Sequence, residues 1–168
     1  MFLGRSHSGK TYFLIQQLNM LVGMRRGGEG HDRNRPMYDL IILFSESLNN
    51  SDLAGLDPSL NVIQVKRYIP HIVEFLKDVN DDSGRSFRFL VILDDIIDNL
   101  RGAADTFTKQ ILTYRNSHIT TVILAQRFMQ ISPSCRTSLQ HIYITKLDSL
   151  ECEKLITTTF YDHFTELI

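Results

Sequence analysis

The sequence predicts an α/β domain built on a mainly parallel sheet, and three observations carry that prediction. A loop bounded by glycines, Gly4-Arg5-Ser6-His7-Ser8-Gly9-Lys10-Thr11, opens the chain and runs directly into a helical pattern. Residues 87–93 (FRFLVIL) form a nearly continuous apolar run closed by Asp94 and Asp95. Similar runs, residues 37–44 (MYDLIILF) and 119–125 (ITTVILA), are separated by helical stretches and read as strands buried on both faces. With 168 residues, 43% apolar and 22% charged, the composition is that of one ordinary globular domain, residues 1–168.

The first loop fits G-x-x-x-x-G-K-[ST] at every fixed position. A loop that curls around a pyrophosphate between a strand end and a helix start aims its backbone N–H groups inward, and Gly4 and Gly9, lacking Cβ, permit the curl. Arg5, Ser6, His7 and Ser8 line the cradle. Lys10 supplies a point charge to the β- and γ-phosphate oxygens, and Thr11 a hydroxyl to a Mg2+ that bridges them. Residues 11–24 (TYFLIQQLNMLVGM) continue as an amphipathic helix with Phe13, Leu14, Leu18, Leu21 and Val22 on one side, so the positive end of its dipole meets the phosphates. Only Met1, Phe2 and Leu3 precede Gly4, fewer than the roughly five residues of an ordinary strand. The expectation is a chain trimmed at its N-terminus or completed by a neighbour.

Residues 25–36 (RRGGEGHDRNRP) form a connector without periodicity. Its Arg25, Arg26, Arg33 and Arg35 serve solubility, or touch a phosphate backbone if the connector faces a pore. Residues 37–44 are a buried strand, 45–60 a loop and 61–65 (NVIQV) a short strand. Pro70 opens a helix that runs to about Val79, with Ile69, Ile72, Val73, Phe75 and Leu76 at helical spacing, and residues 80–85 (NDDSGR) form the turn that ends it.

The run at 87–93 ends in the second anchor. A buried strand can deliver Asp94 from its C-terminal edge to the Mg2+ shell, while Asp95, pointing away from the metal, polarises the attacking water. Strands often end in Asp for turn reasons alone; the phosphate loop upstream is what gives this pair a chemical meaning. Residues 102–113 form a helix with Phe107, Ile111 and Leu112 inward. The strand at 119–125 ends in Gln126, which becomes a candidate sensor of the γ-phosphate or water if its strand lies between the phosphate-loop strand and the acidic one. The bland alternative is a Gln that merely opens a loop. Pro133 and Ser134 open a short helical piece carrying Cys135 and Arg136, residues 141–145 (HIYIT) form the last strand, and Asp148 begins a helix to Phe160 with Leu150, Leu155 and Ile156 inward.

Composition excludes some classes. A net charge of −1 argues against a protein that coats polyanions over its whole surface. The two cysteines, Cys135 and Cys152, have no metal-ligand spacing, and the six histidines show no zinc grouping. No apolar run reaches the eighteen or so residues of a membrane span, so no membrane partner is expected.

Phosphate loop, strand ending in two acids, Arg115-x-x-His118 before a strand ending in Ala125-Gln126, a Pro and Arg136, then Thr145-Lys146-Leu147-Asp148-Ser149-Leu150-Glu151: this succession resembles the HerA/FtsK-type translocases. Within them it is most similar to the genome-packaging ATPases of large double-stranded DNA viruses and their virophage-like relatives, over nearly the whole chain. The resemblance implies a three-layer P-loop NTPase fold, RecA-like, with an additional strand between the first and the acidic strand. It implies ATP and Mg2+ as cofactors, double-stranded DNA as the moving substrate and a homo-oligomeric ring, hexamer or pentamer. Capsid vertex proteins become a further partner class, and the place of action a cytoplasmic virus factory or the virion. It also implies an arginine that one subunit offers to the γ-phosphate of the next. Arg136 lies in the matching stretch, with Arg115 and Arg127 in reserve. Many relatives carry Asp-Glu where this chain has Asp94-Asp95.

Two other classes share these motifs. A P-loop nucleotide or small-molecule kinase carries an Arg-rich lid over the phosphates, whereas the Arg-rich connector here follows the first helix. A nucleotide-binding assembly module would use the same cradle without significant turnover.

Overall fold

Parallel strands need crossover connections, and the helical stretches between the apolar runs supply them. The computed structural model describes residues 1–5, 8–25, 35–46, 53–95 and 104–159. Its strands are β1 (Phe2–Leu3), β2 (Leu40–Ser45), β3 (Val62–Val65), β4 (Phe89–Asp94), β5 (Ile119–Ala125) and β6 (Tyr143–Ile144). They form one sheet in the order β3-β2-β4-β5-β1-β6, every pairing parallel. The helices are α1 (Lys10–Met20), α2 (Pro70–Asp82), α3 (Ala104–Thr113), α4 (Pro133–Thr137) and α5 (Ser149–Thr159). β5 is the additional strand between β1 and the acidic strand β4, as the resemblance implied.

The central strands are apolar on both faces because both are covered. On one face Leu14 and Leu18 of α1 pack on Phe2, Ile41, Leu43, Leu90, Ile92 and Leu124. On the other, Val73 and Leu76 of α2, Phe107 of α3 and Leu155 of α5 cover the alternate residues Leu3, Ile42, Phe44, Val91, Leu93, Ile123 and Ala125. Each such side chain contributes about 1.5–3 kcal/mol relative to leaving it in water. The short edge strand β6 is held by an aromatic group: Tyr143 stacks on Phe2 at 5.0 Å and lies 5.9 Å from Phe13. No described helix is long and apolar enough to cross a membrane.

Three elements differ from expectation. α1 stops at Met20, not Met24, because the chain turns there, with Gly23 at φ +79°, and Val22 is left exposed. α2 runs on to Asp82, and Asn80 is a buried part of it instead of a turn residue. Its Nδ2 donates to Phe87 O (3.0 Å) and to Ser117 O, and its Oδ1 accepts from Phe87 N (2.9 Å), so one amide ties the helix to the entries of β4 and β5. Ile69, just before this helix, and Phe75 on it face outward, Phe75 at 66% exposure. In α5 only Leu155 of the expected apolar set is buried; Leu150 (57%) and Ile156 (51%) are exposed. Glu151 turns inward instead, because its Oε2 accepts from Phe128 N at 3.0 Å.

Only the two ends of the connector lie among the described residues. Arg25 bridges Pro36, and Arg35 Nη1 donates to Ser86 O (3.0 Å), just before β4 begins; Arg26 and Arg33 lie outside the described residues.

Asn80→Ala would leave three backbone groups, one buried and two part-buried, short of a partner. A loss of roughly 2–4 kcal/mol is expected in urea unfolding, with the m-value unchanged.

Candidate active site

β1 ends at Leu3, but its hydrogen-bond ladder continues into the loop on both sides. Gly4 N donates to Ala125 O (3.1 Å) and Arg5 N to Lys146 O (3.0 Å). The returning limb is closed by Ser8 N donating to Arg5 O (3.2 Å), and Gly9 at φ +84° turns the backbone into α1. That left-handed conformation explains Gly9 as expected. At Gly4 φ is not positive. Its lack of a side chain is required by a close approach: a Cβ there would overlap Thr145 Oγ1 and come within 2.7 Å of Ser8 Oγ.

Lys10 is the first residue of α1 and only 6% exposed. Its ammonium folds over the loop and donates to Gly4 O (2.7 Å) and Arg5 O (2.9 Å). Those carbonyls offset the cost of burying the charge, and they hold it at the mouth of the loop, beside the amides of the helix N-terminus. Arg5 itself is exposed and pairs loosely with Asp148 at 3.7 Å, a contact worth little in water. Thr11 follows on the first turn of α1, half-buried. Ser6 and His7 lie outside the described residues.

The acidic side lies along the same edge. Asp94 closes β4 at 3% exposure, in register with Leu124 of β5 and Ser45 of β2, and Ser45 Oγ donates to Asp94 Oδ2 at 2.9 Å. Leu124 is in turn the partner of Phe2. A single strand therefore separates β4 from β1, a lateral offset of roughly 10 Å. Thr11, on the first turn of α1, and Asp94, at the end of β4, carry the hydroxyl and the carboxylate that would hold a divalent ion at this edge.

Asp95 leaves the ladder at φ +51°, while its N–H still donates to Leu124 O (3.2 Å). Its carboxylate turns toward the tip of β5, where Gln126 Nε2 donates to Oδ2 at 3.0 Å. Gln126 thus stands between the phosphate-loop strand and the acidic strand, bonded to the acid expected to polarise water.

The arginines separate. Arg136 on α4 lies over the Phe128 ring, 5.2 Å from its centre, with Nη1 directed at Met129 Sδ. Arg127 is exposed directly after Gln126. Arg115 stands just before β5, at the opposite edge of the sheet. That opposite edge also carries a groove of about 900 Å³ lined by Met1, Arg88, Arg115, Thr120 and His141 among others, remote from the phosphate loop.

Ser45 and Thr145 were missed by sequence reasoning. Ser45 had a signal: aligning the ends of two adjacent apolar strands, LIILFS and FLVILD, sets it beside Asp94. Thr145 stood in a stretch already singled out, but no periodicity shows that its side chain fills the space beside Gly4.

Comparison with known proteins supplies a family and a fold. The profile of the family described as Poxvirus A32 protein matches residues 58–160, more than half of the chain. The cytoplasmic domain of EssC superposes with a TM-score of 0.63 at 19% identity, covering 96% of this chain and 34% of that one. B204, the DNA-packaging ATPase from Sulfolobus turreted icosahedral virus, gives 0.63 at 12% identity, covering 96% of this chain and 82% of its own. The genome-packaging NTPase B204 from Sulfolobus turreted icosahedral virus 2, in complex with ATP-γ-S, gives 0.55 at 12% identity over 98% and 83%. The chain thus spans about a third of the EssC chain it matches. No curated protein sequence gives a significant match. These likenesses establish the three-layer P-loop ATPase fold.

The two loop glycines are expected to fail differently. Gly4→Ala should lose stability that Thr145→Ala partly restores, since the obstacle is the threonine hydroxyl. Gly9→Ala, with nothing within 4 Å of an added Cβ, should lose about 1–2 kcal/mol through its left-handed backbone, and Thr145→Ala should restore none of it. Urea unfolding of the three single and two double variants distinguishes the cases.

Proposed function

Because the chain belongs to the Poxvirus A32 protein family, we propose that it is an ATP-hydrolysing DNA translocase that packages a viral genome into a capsid. The observation that carries this reading is the Asp95–Gln126 pair standing one strand away from the phosphate loop, on the same edge of the sheet. A cradle for binding alone has no need of an acid and an amide fixed on each other beyond the metal-side carboxylate. The packaging ATPase and the ATP-γ-S complex among the structural neighbours support the same reading.

In this mechanism the loop amides and the α1 N-terminus bind the phosphates, and Lys10 exchanges the Gly4 and Arg5 carbonyls for phosphate oxygens. Thr11 and Asp94 would hold Mg2+, which when bound neutralises charge on the β- and γ-phosphates. Ser45 keeps Asp94 in one rotamer. Asp95 takes the proton of the attacking water, with Gln126 holding its carboxylate in place and sensing the γ-phosphate. Arg136, released from the Phe128 ring, serves the site of the next subunit in a hexameric or pentameric ring, where it neutralises transition-state charge. Double-stranded DNA passes through that ring, capsid vertex proteins anchor it, and the work is done in the cytoplasmic virus factory or on the virion.

The kinase alternative draws no support from the described part of the connector, where Arg35 bonds Ser86 O beside the start of β4, away from the phosphate loop.

ATP hydrolysis is expected to rise with duplex DNA and with protein concentration. Lys10→Ala and Asp95→Asn should each lower kcat by about 100-fold or more. Equal specific activity in a proven monomer, indifferent to DNA, would overturn the translocase.

A further inference from the structure

We propose that Thr145 is a positioning residue for the phosphate loop, acting through Ser8, so that the end of β6 sets the affinity of the loop for a triphosphate; this rests on the nucleotide-binding reading above. Thr145 reaches both limbs of the loop. On the outgoing limb its N–H donates to Leu3 O (2.8 Å) and its hydroxyl to the same oxygen (3.2 Å), while the next residue, Lys146, accepts from Arg5 N (3.0 Å). On the returning limb its Oγ1 lies 2.8 Å from Ser8 Oγ.

The proton accounting allows one consistent chain. Leu3 O can only accept, so the Thr145 hydroxyl donates to it and Ser8 donates to Thr145 Oγ1. Ser8 immediately precedes Gly9, where the backbone turns into α1, so this bond sets the pitch of the amides that face a phosphate. The ammonium of Lys10 is braced through the same segment, since its acceptors are the carbonyls of Gly4 and Arg5. Gly4 completes the fit by leaving the space that Thr145 Oγ1 occupies. A loop already held in its binding shape spends less of its interaction energy on ordering itself.

The brace also continues toward the catalytic pair. Asp148 Oδ1 accepts from Glu151 N (2.8 Å) at the start of α5, and Glu151 accepts from Phe128 N two residues beyond Gln126. The segment after β6 is therefore bonded both to the loop and to the stretch that follows the sensor.

The test compares wild type, Thr145→Val, Thr145→Ser and Lys10→Ala in calorimetric titrations with Mg2+ and ATP-γ-S, alongside thermal unfolding without nucleotide. Valine keeps the volume beside Gly4 and removes the hydroxyl. Thr145→Val should weaken binding about 3- to 10-fold with its nucleotide-free midpoint within about 2 °C of wild type, and in hydrolysis it should raise KM more than it lowers kcat. Thr145→Ser should bind within about twofold of wild type. Wild-type affinity in Thr145→Val, equal losses in Val and Ser, or a loss that tracks the nucleotide-free midpoint would each overturn the proposal. If wild type and Lys10→Ala are equally silent, the nucleotide reading itself falls and takes this proposal with it.

Discussion

Everything at this site depends on strand register. β4 and β5 are paired over their last residues, and β5 is paired with β1 one step further on, so Asp94, Gln126 and Gly4 leave the sheet within two residues of the same line. Parallel pairing makes this possible, since all C-terminal ends then share an edge and crossover helices carry the chain back. Slipping β5 by a single residue would exchange its two faces. It would put Val122 and Leu124 in the places of Ile123 and Ala125 and turn Gln126 away from Asp95. The apolar core therefore fixes the chemistry indirectly: burial of Ile123 and Ala125 on one face and Leu124 on the other is what keeps the acid and the amide in contact.

Charge is placed within that frame by backbone groups more than by side-chain pairing. Lys10 is buried at the head of a helix, where the macrodipole disfavours a cation, yet its two carbonyl partners and the anion-binding amides around it suit the same ligand. Asp95 is a second local cost. A non-glycine residue at φ +51° gives up about 1 kcal/mol or more, and the structure offsets it with the Gln126 bond and the Asp95 N–H to Leu124 O. Both costs fall on residues named for catalysis, where local propensity yields to function.

The strands around the site and the residues that carry it were legible because they obey short-range rules, whereas the order of the strands in the sheet came from the family resemblance. The phosphate loop is a fixed pattern, and buried parallel strands write themselves as unbroken apolar runs; β5 starts and ends where its sequence says. What was not legible depends on contacts between distant segments. Asn80 sits in a cluster of turn-forming residues, and only the approach of Phe87 and Ser117 makes it a buried staple. Leu150 and Ile156 match a helical stripe, but α5 packs through Leu155 and turns Glu151 inward toward the backbone of Phe128. Gly4 belongs to a motif whose usual explanation is backbone freedom; here the reason lies about 140 residues away, in Thr145.

The shorter acid at position 95 has a local explanation. Aspartate tolerates the left-handed region better than glutamate because its carboxylate can bond nearby groups without a long side chain folding back on the turn. At φ +51° the backbone already rotates the Cβ direction out of the strand line and toward β5. A glutamate in an extended backbone would reach the same zone by length; Asp95 reaches it by direction, and Gln126 at 3.0 Å marks where its carboxylate comes to rest. The methylene lost relative to an Asp-Glu pair is thus offset by a turn of the chain, which makes the backbone at position 95, and not side-chain length, the variable that sets where this carboxylate sits relative to Gln126.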